Sequence, residues 1–203
     1  MKKEIIGRGA EAIIYKKKNQ VTKDRISKGY RHPELDKKII KRRTKSETKI
    51  LTAASKIIPT PKPEDQKENN LIKMPFIKGD KLSQTLDSYS QKKQEEIMFQ
   101  IGKSIAKLHK ENIIHGDLTT SNMILKNKLV YFIDFGLGYF NGKYEDKGVD
   151  IHLLKQALEA KHFKNAEILF KEFEVGYRSI QPMEAEKVFD KLKAIEKRGR
   201  YKH

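Results

Sequence analysis

The sequence contains no cysteine and no tryptophan, and it has no long apolar stretch. The absence of cysteine excludes a disulfide scaffold, a thiolate zinc site and a cysteine nucleophile. No apolar run approaches the roughly 18 residues that a membrane-spanning helix needs. The lysine-rich start also lacks the apolar segment of a signal peptide. These absences predict a soluble, cytoplasmic protein that does not associate with a membrane.

Positive charge is what the sequence has in excess, with 44 lysine and arginine residues against 27 acidic ones and a formal net charge of +17. The excess lies at the two ends, since residues 1–50 hold 17 basic and 6 acidic residues, and residues 191–203 hold 6 and 1. Such ends are either solvated helix faces and a frayed tail, or two parts of a surface that binds a polyanion.

Residues 1–78 are predicted to form a small strand-rich domain. Short apolar runs alternate with turns over the first 30 residues, which favours two or three antiparallel strands. A helix is predicted from Pro33 to about Lys56, because proline suits the first helical position and two acidic residues follow in the first turn. Three prolines end that helix, and an apolar strand is predicted over 71–77.

Residues 79–203 are predicted to form a mainly helical domain. Ser90 stands where it can cap a helix over 91–110, in which the apolar residues recur at helical spacing. From about Asp150 to the end, the pattern predicts three amphipathic helices.

Three polar side chains are predicted to converge at the open end of a hairpin. The strands 123–125 and 129–133 are joined by so short a turn that they pair with each other. Asn122 just precedes the first strand and Asp134 just follows the second, so both lie next to Asp117 on the preceding loop. Two carboxylates and an amide supply the hard oxygen ligands that Mg²⁺ prefers, and one carboxylate can stay off the metal as a base. A polar loop with Asp and Asn in its turns is the alternative.

The segment H-G-D-L-T-T-S-N at 115–122, followed by I-D-F-G at 133–136, resembles the catalytic loop and D-F-G motif of the protein-kinase-like superfamily. The resemblance implies an α+β, protein-kinase-like two-lobe fold with a β-rich N-lobe and a helical C-lobe. Its activation segment is reduced, since Asp150 follows Asp134 by only 16 residues. Asp117 is implied as the base toward the attacking hydroxyl, and Asn122 and Asp134 as Mg²⁺ ligands.

The same resemblance implies an ATP site in the N-terminal half. Lys23 stands at the end of a strand as the phosphate-pairing lysine, and Glu47 lies mid-helix as its ion-pair partner. Without the catalytic loop, these two would be read as surface charges. The residues implied to contact ATP are Ile6, Gly7, Arg8, Gly9, Ala10, Glu11, Lys23, Met74, Phe76 and Ile77.

Three departures weaken the interpretation as an ordinary protein kinase. Ala12 replaces the third glycine of the glycine-rich loop, and Thr119 stands where a lysine often contacts the γ-phosphate. Gly116 replaces the arginine of H-R-D, so the usual receptor for a phosphorylated activation loop is missing. No A-P-E segment is present, which leaves little room for a peptide-binding platform.

The finer motifs resemble the PRPK family, the small atypical kinase or ATPase subunits of the KEOPS (EKC) complex. They are G-R-G-A-E-A at 7–12, K-G-Y-R-H-P-E-L-D at 28–36, R-R-T at 42–44, E-D-K-G-V-D at 145–150 and R-G-R at 198–200. The resemblance implies a Mg²⁺·ATP-dependent serine/threonine kinase or ATPase that supports N6-threonylcarbamoyladenosine formation in tRNA. Its implied partners are tRNA, a small adaptor subunit, and a threonylcarbamoyl transferase subunit that is either separate or fused to this chain.

Two other functions stay open at this point. A kinase-fold module could bind nucleotide or tRNA without chemistry, although all five predicted catalytic and metal-binding residues are intact. A small-molecule phosphotransferase shares H-G-D…N and I-D, but it usually carries a larger helical lobe than 203 residues allow. Asp150 is open as well, since it either braces the catalytic loop, as the resemblance implies, or caps a helix.

Overall fold

The computed structural model describes residues 3–65 and 68–200, and its N-terminal part is a four-stranded antiparallel sheet. The strands follow one another in the sheet in chain order. This confirms the antiparallel strands predicted for the first 30 residues. The strands are β1 (Glu4–Arg8), β2 (Ala12–Lys17), β3 (Gln20–Arg25) and β4 (Leu71–Pro75).

The strand predicted over 71–77 ends two residues early, at Pro75. Pro75 pairs with Gln20, the first residue of β3, so the neighbouring strand offers no further partner. The N–H of Phe76 instead donates to the carbonyl of Asn19 in the turn between β2 and β3, at 2.7 Å.

A single long helix, α1 (Pro33–Ala54), packs on this sheet and begins at the predicted proline. Its buried residues include Ile50, Leu51 and Ala54, together with the polar Asp36, Thr44 and Glu47. Buried charge on a core-facing helix is costly unless it is paired. Glu47 has its partners on β3, whereas Asp36 pairs with Arg31 in the loop before α1.

The C-terminal part combines a small second sheet with helices. The sheet is formed by β5 (Asp80–Lys81), β6 (Met123–Lys126) and β7 (Leu129–Phe132), and β6 and β7 form the predicted hairpin. Sequence reasoning missed β5 and the short helix after it, because elements of two and four residues are too short to show a period. The helices are α2 (Leu82–Thr85), α3 (Gln91–Lys110), α4 (Tyr144–Lys161), α5 (Ala166–Arg178) and α6 (Pro182–Arg200).

The helical predictions are confirmed with two corrections. Ser90 occupies the N-cap position of α3, but its side chain makes no capping hydrogen bond. The helix predicted from about Asp150 starts six residues earlier, at Tyr144, so Asp150 lies inside α4 and is not a helix cap. The acidic first turn of α4 stabilises this earlier start, because Asp146 accepts from the N–H of Lys143 at 2.7 Å.

Two glycines let α3 and α5 cross with their backbones in contact. A Cβ at Gly102 would lie 2.1 Å from the carbonyl oxygen of Phe173, and one at Gly176 would lie 2.1 Å from that of Phe99. Protein interiors are close-packed, so the crossing tolerates no larger residue. The two helices therefore pack backbone against backbone, and α3 leads directly into the loop before β6.

The arrangement of sheet, long helix and helical part confirms the predicted two-lobe α+β fold. The boundary between residues 78 and 79 stays a prediction. Within the described ranges, no helix combines the length and the apolar character that crossing a bilayer requires.

Candidate active site

Lys23 lies at the centre of a cluster of charged side chains between the sheet and α1. Its Nζ donates to Oε1 of Glu47 at 2.7 Å and to Oδ1 of Asp134 at 2.8 Å. Burial alternates along β3, which puts Lys23 on the covered face of the sheet, while Glu47 lies on the buried side of α1. The lysine thus joins the sheet, the long helix and the loop after β7.

The charges of this cluster stabilise one another. Burial by itself lowers the pKa of Lys23, but the neighbouring charges of Glu47 and Asp134 outweigh it and hold that pKa above its ordinary value. For Asp134, burial by itself raises the pKa, and the charge and hydrogen bond of Lys23 outweigh it in the other direction. Both side chains are therefore charged at neutral pH.

Asn122 and Asp134 each keep one oxygen free of hydrogen bonds to the described residues. The Nδ2 of Asn122 donates to the backbone carbonyl of Asp117 at 2.9 Å and to its Oδ2 at 2.8 Å, which leaves Oδ1 of the amide. Two acceptors around Nδ2 fix this amide orientation chemically. Oδ1 of Asp134 is engaged by Lys23 and by the N–H of Gly136, at 3.1 Å, which leaves Oδ2.

This donor set fits a magnesium ion only in company with other oxygens. Across residues 3–65 and 68–200, no three His, Asp or Glu side chains are grouped so that they could hold a metal by themselves. Mg²⁺ commonly takes one or two protein oxygens and completes its shell with phosphate and water. Asn122 and Asp134 match that pattern.

Asp150 holds the backbone of the loop that precedes β6. Its Oδ2 accepts from the N–H of His115 at 2.9 Å, and its Oδ1 accepts from the N–H of Gly116 at 2.9 Å. A ring nitrogen of His109 lies 3.2 Å from Oδ2, and the other lies 2.9 Å from the hydroxyl of Tyr177. Of the two readings of Asp150, the structure therefore supports the brace.

Gly116 shows why this loop carries no arginine. Its φ is +81°, which side-chain-bearing residues rarely adopt, and a Cβ there would lie 2.3 Å from the carbonyl oxygen of Leu137. An antiparallel bridge between Ile114 and Tyr139 brings the activation segment this close. The departure from H-R-D is thus a steric requirement of the short segment.

A cleft of about 320 Å³ opens between the sheet, the segment after β4 and the β6–β7 hairpin. It has an apolar end formed by the segment after β4, and Lys23 and Asp134 line it from the charged cluster. The predicted site residues that line it are Ile6, Gly7, Lys23, Glu47, Met74, Phe76, Ile77, Asn122 and Asp134.

The other predicted residues lie outside the lining of this cleft. Asp117 contacts Asn122 and is half-buried beside the cleft. Arg8 ends β1, and Gly9, Ala10 and Glu11 form the turn between β1 and β2. The structure therefore brings the predicted residues into one region, and their roles stay predictions.

Sequence reasoning missed residues that β3 brings to the same face as Lys23. Val21 lines the cleft, and Arg25 donates to Oε2 of Glu47 at 2.5 Å. The signal was available, because side chains two positions apart on a strand share a face. Pro61 lines the cleft from the segment between α1 and β4, and Lys81 lines it from the two-residue strand β5. Neither place carries a periodic signal.

Comparison with known proteins identifies related sequences over nearly the whole chain. The profile of a family described as RIO domain matches residues 10–137, more than half of the chain. The "KEOPS complex subunit Bud32" of Pyrococcus abyssi is 40% identical in an alignment that covers 98% of this chain and 96% of that protein. The "Probable serine/threonine-protein kinase BUD32 homolog" of Archaeoglobus fulgidus is 40% identical over 95% of this chain and 94% of that protein.

Longer relatives contain a region similar to this chain. The "Probable bifunctional tRNA threonylcarbamoyladenosine biosynthesis protein" of Methanosarcina mazei is 39% identical in an alignment that covers 98% of this chain. The aligned region is only 36% of that protein. The chain thus spans nearly all of some curated relatives and about a third of others.

Proposed function

The chain belongs to the RIO domain family and, within it, to the Bud32 proteins, and from this membership we propose its function. The membership confirms the resemblance to the PRPK family. It is a Mg²⁺·ATP-dependent atypical serine/threonine kinase or ATPase. As a subunit of the KEOPS complex, it supports N6-threonylcarbamoyladenosine formation in tRNA. The names of its relatives support both the membership in the complex and the tRNA modification.

The observation that carries the proposed ATP chemistry is the double contact of Lys23 with Glu47 and Asp134 at one side of the cleft. In kinases, the lysine–glutamate pair and the aspartate of the D-F-G motif must both be in place for phosphoryl transfer. Adenine takes the apolar end near Met74 and Phe76, and the phosphates lie toward Lys23. Asn122 and Asp134 would hold Mg²⁺, which would supply positive charge to neutralise the phosphates.

Asp117 is the proposed base in this arrangement. Its carboxylate accepts a hydrogen bond from Asn122 at 2.8 Å, which holds its side chain next to the proposed metal ligand. It orients the attacking hydroxyl or water and accepts its proton. Lys23 draws the phosphates toward the sheet. A phosphate oxygen then takes the place of one of the two carboxylates that Lys23 contacts in the structure.

The proposed partners are tRNA, a small adaptor subunit and a threonylcarbamoyl transferase subunit. The name of the bifunctional relatives supports the transferase, since a chain like this one is joined there to a longer sequence under a single tRNA-modification name. The proposed compartment is the cytoplasm.

ATP turnover tests the enzyme. Phosphate release is measured for the wild type and for Asp134→Ala, alone and with tRNA and a threonylcarbamoyl transferase. The control variant is Asp190→Ala, which removes an exposed carboxylate of α6. We expect the wild type and the control to hydrolyse ATP, with acceleration by tRNA and transferase, while Asp134→Ala is slower by about 100-fold or more.

Two results separate the parts of this proposal. Equal turnover by the wild type and Asp134→Ala excludes ATP chemistry at this site and leaves a binding module. A small-molecule phosphotransferase is favoured instead if tRNA and the transferase leave ATP turnover unchanged while a small hydroxylated substrate accelerates it.

The salt dependence of tRNA binding tests the basic end of the chain. The helix α6 reaches Arg200, Arg198 pairs with Glu145 at 2.7 Å, and Lys202 lies outside the described residues. Changing the four basic residues between 197 and 202 to glutamine lowers the slope of log affinity against log salt by about 0.7–0.9 for each lost phosphate contact. Four lysine-to-glutamine changes on α3, at positions 92, 93, 103 and 107, are the control. Equal slopes for both sets contradict tRNA contact by the tail.

A further inference from the structure

Glu11, in the turn between β1 and β2, contacts three guanidinium groups. Arg31 lies 3.3 Å and Arg25 3.6 Å from its carboxylate oxygens, and Arg43 forms a third ion pair with it. Arg25 ends β3, Arg31 precedes α1, and Arg43 lies within α1. One acid on the glycine-rich loop therefore joins three elements of the N-lobe.

The contacts of Glu11 continue to the buried catalytic pair. The guanidinium of Arg25 donates to Oε2 of Glu47, whose Oε1 accepts from Lys23. The side chain of Arg25 is only 5% exposed, and its Nε has no hydrogen-bond partner in the described chain. Buried ionic groups are stable only when paired. The position of Arg25, and through it that of Glu47, thus depends on its few anionic partners.

Arg43 depends on Glu11 for its charge partner, and Arg31 depends on it in part. Arg31 has a second partner in Asp36, at 3.3 Å, and Arg43 pairs with no other acid in the described ranges. Without the carboxylate of Glu11, three guanidinium groups would face one another with too few negative charges between them, and like charges at this range repel. A shared carboxylate in a partly buried network contributes more than an isolated surface pair does.

The activation segment of this chain offers no replacement for that carboxylate through serine or threonine phosphorylation. Residues 135–149 contain neither serine nor threonine. In kinases, phosphorylation of the activation loop commonly brings the glutamate-bearing helix and its lysine into register through new arginine–phosphate pairs. Here an internal acid stands among three arginines beside that helix.

We propose that Glu11 is a positioning residue that stands in for an activating phosphate. Its carboxylate neutralises Arg25, Arg31 and Arg43, ties the glycine-rich loop to β3 and α1, and thereby holds Glu47 and Lys23 in register without modification of the activation segment. The kinetic test of this inference rests on the proposed ATP chemistry. A second test, the protection of the glycine-rich loop from amide hydrogen exchange, needs no activity.

Glu11→Gln removes the charge with little change in shape, and Glu4→Gln is the matched control. Glu4 lies exposed on β1 and forms no ion pair with the described residues. We expect Glu11→Gln to increase amide hydrogen exchange in peptides that cover residues 5–14 by about 5-fold. We also expect its kcat to fall about 10-fold with a smaller rise in the KM for ATP, because Lys23 is misplaced rather than removed.

A double variant distinguishes positioning by charge from a general structural role. If Glu11 acts by neutralising arginines, Glu11→Gln/Arg43→Gln relieves part of the repulsion and regains about 3-fold in kcat over Glu11→Gln. A merely structural role predicts a further loss in the double variant. If Glu11→Gln does not fold, Glu11→Asp replaces it, since this variant keeps the charge on a shorter side chain. A kcat within about 2-fold of Glu4→Gln then supports neutralisation by charge, and a loss of about 10-fold supports a merely structural role.

The outcomes separate this inference from the proposed function. A wild type without turnover overturns the proposed function, while loop exchange still reports on Glu11. A different result overturns only the inference on Glu11. In that case the wild type turns over ATP, and the amide exchange and kcat of Glu11→Gln lie within about 2-fold of those of Glu4→Gln.

Discussion

Lys23 and Asp134, 111 positions apart in the sequence, form an ion pair with 2.8 Å between Nζ and Oδ1. The pair links the N-terminal sheet to the loop that follows the β6–β7 hairpin. Since the side chain of Asp134 is still 47% exposed, its second oxygen can accept another ligand. Nucleotide binding is therefore expected to depend on these two residues in different ways.

Lys23→Met and Asp134→Ala are predicted to differ in how nucleotide affinity responds to Mg²⁺. Lys23→Met loses a phosphate cation, so affinity for ADP falls by about 10-fold at every Mg²⁺ concentration. Asp134→Ala loses a metal ligand, so the gain in affinity on adding Mg²⁺ disappears. Calorimetric titrations with and without EDTA measure both effects. The same Mg²⁺ response in the two variants contradicts the assignment of their roles.

Asp117→Asn is predicted to spare nucleotide binding and to slow turnover. An asparagine keeps a side-chain oxygen that accepts from Asn122, so the local hydrogen bond survives. What is lost is the basic carboxylate, and turnover falls by about 100-fold if general-base catalysis contributes. Single-turnover rates and nucleotide affinities are compared with those of Asp190→Ala. A loss of affinity with an unchanged rate would show that Asp117 has a binding role instead.

Asp150→Asn is predicted to destabilise the protein in a pH-dependent way. Burial by itself raises the pKa of Asp150, but hydrogen bonds and charges of His109 and His115 outweigh it and hold that pKa below its ordinary value. A lowered folded-state pKa stabilises the protein above the unfolded value, about 3.9, and that contribution is lost as the pH falls through the folded-state pKa.

The measurement is urea unfolding of the wild type and Asp150→Asn between pH 3 and pH 7. Near neutral pH, the free energy of unfolding of Asp150→Asn is expected to be about 3 kcal/mol lower than that of the wild type. The difference between the two proteins decreases toward pH 3. Curves that run parallel across this range would contradict the lowered pKa.

Gly102→Ala is predicted to disrupt the crossing of α3 and α5. The new methyl carbon would lie 2.1 Å from the carbonyl oxygen of Phe173, where backbone must shift to admit it. Overpacking of this kind costs about 1–3 kcal/mol, despite the higher helix propensity of alanine. Gly29→Ala is the control, because a Cβ there meets nothing within 4 Å. Equal melting temperatures of the two variants would disprove the close crossing.

Much of the fold followed from local sequence. The N-terminal strands, the start of α1 at Pro33 and the β6–β7 hairpin were predicted, because proline position, apolar period and turn length act over a few residues. The elements that were missed, β5 and α2, have too few residues to carry a period. The start of α4 lies six residues before the predicted one, and the acidic residues Glu145 and Asp146 of its first turn favour this earlier start.

The sequence predicts which residues form the candidate site, but it does not predict which contacts they make. The spacing of Asp117, Asn122 and Asp134 determined that oxygen donors meet at one end of a hairpin, since a hairpin's register is local. Only the tertiary structure decided that Asp150 holds the backbone at Gly116, because the partners come from separate elements.

The sequence by itself also determined the family and the excess of positive charge. Tertiary structure decided how the charge is used, because ion pairs depend on distances that no spacing along the chain fixes. Arg25 and Arg43 looked like two members of a basic N-terminal surface, yet folding directs them to Glu11. Arg25 moreover shares Glu47 with Lys23. Part of the net charge therefore organises the N-lobe, and what remains exposed is available to a polyanion.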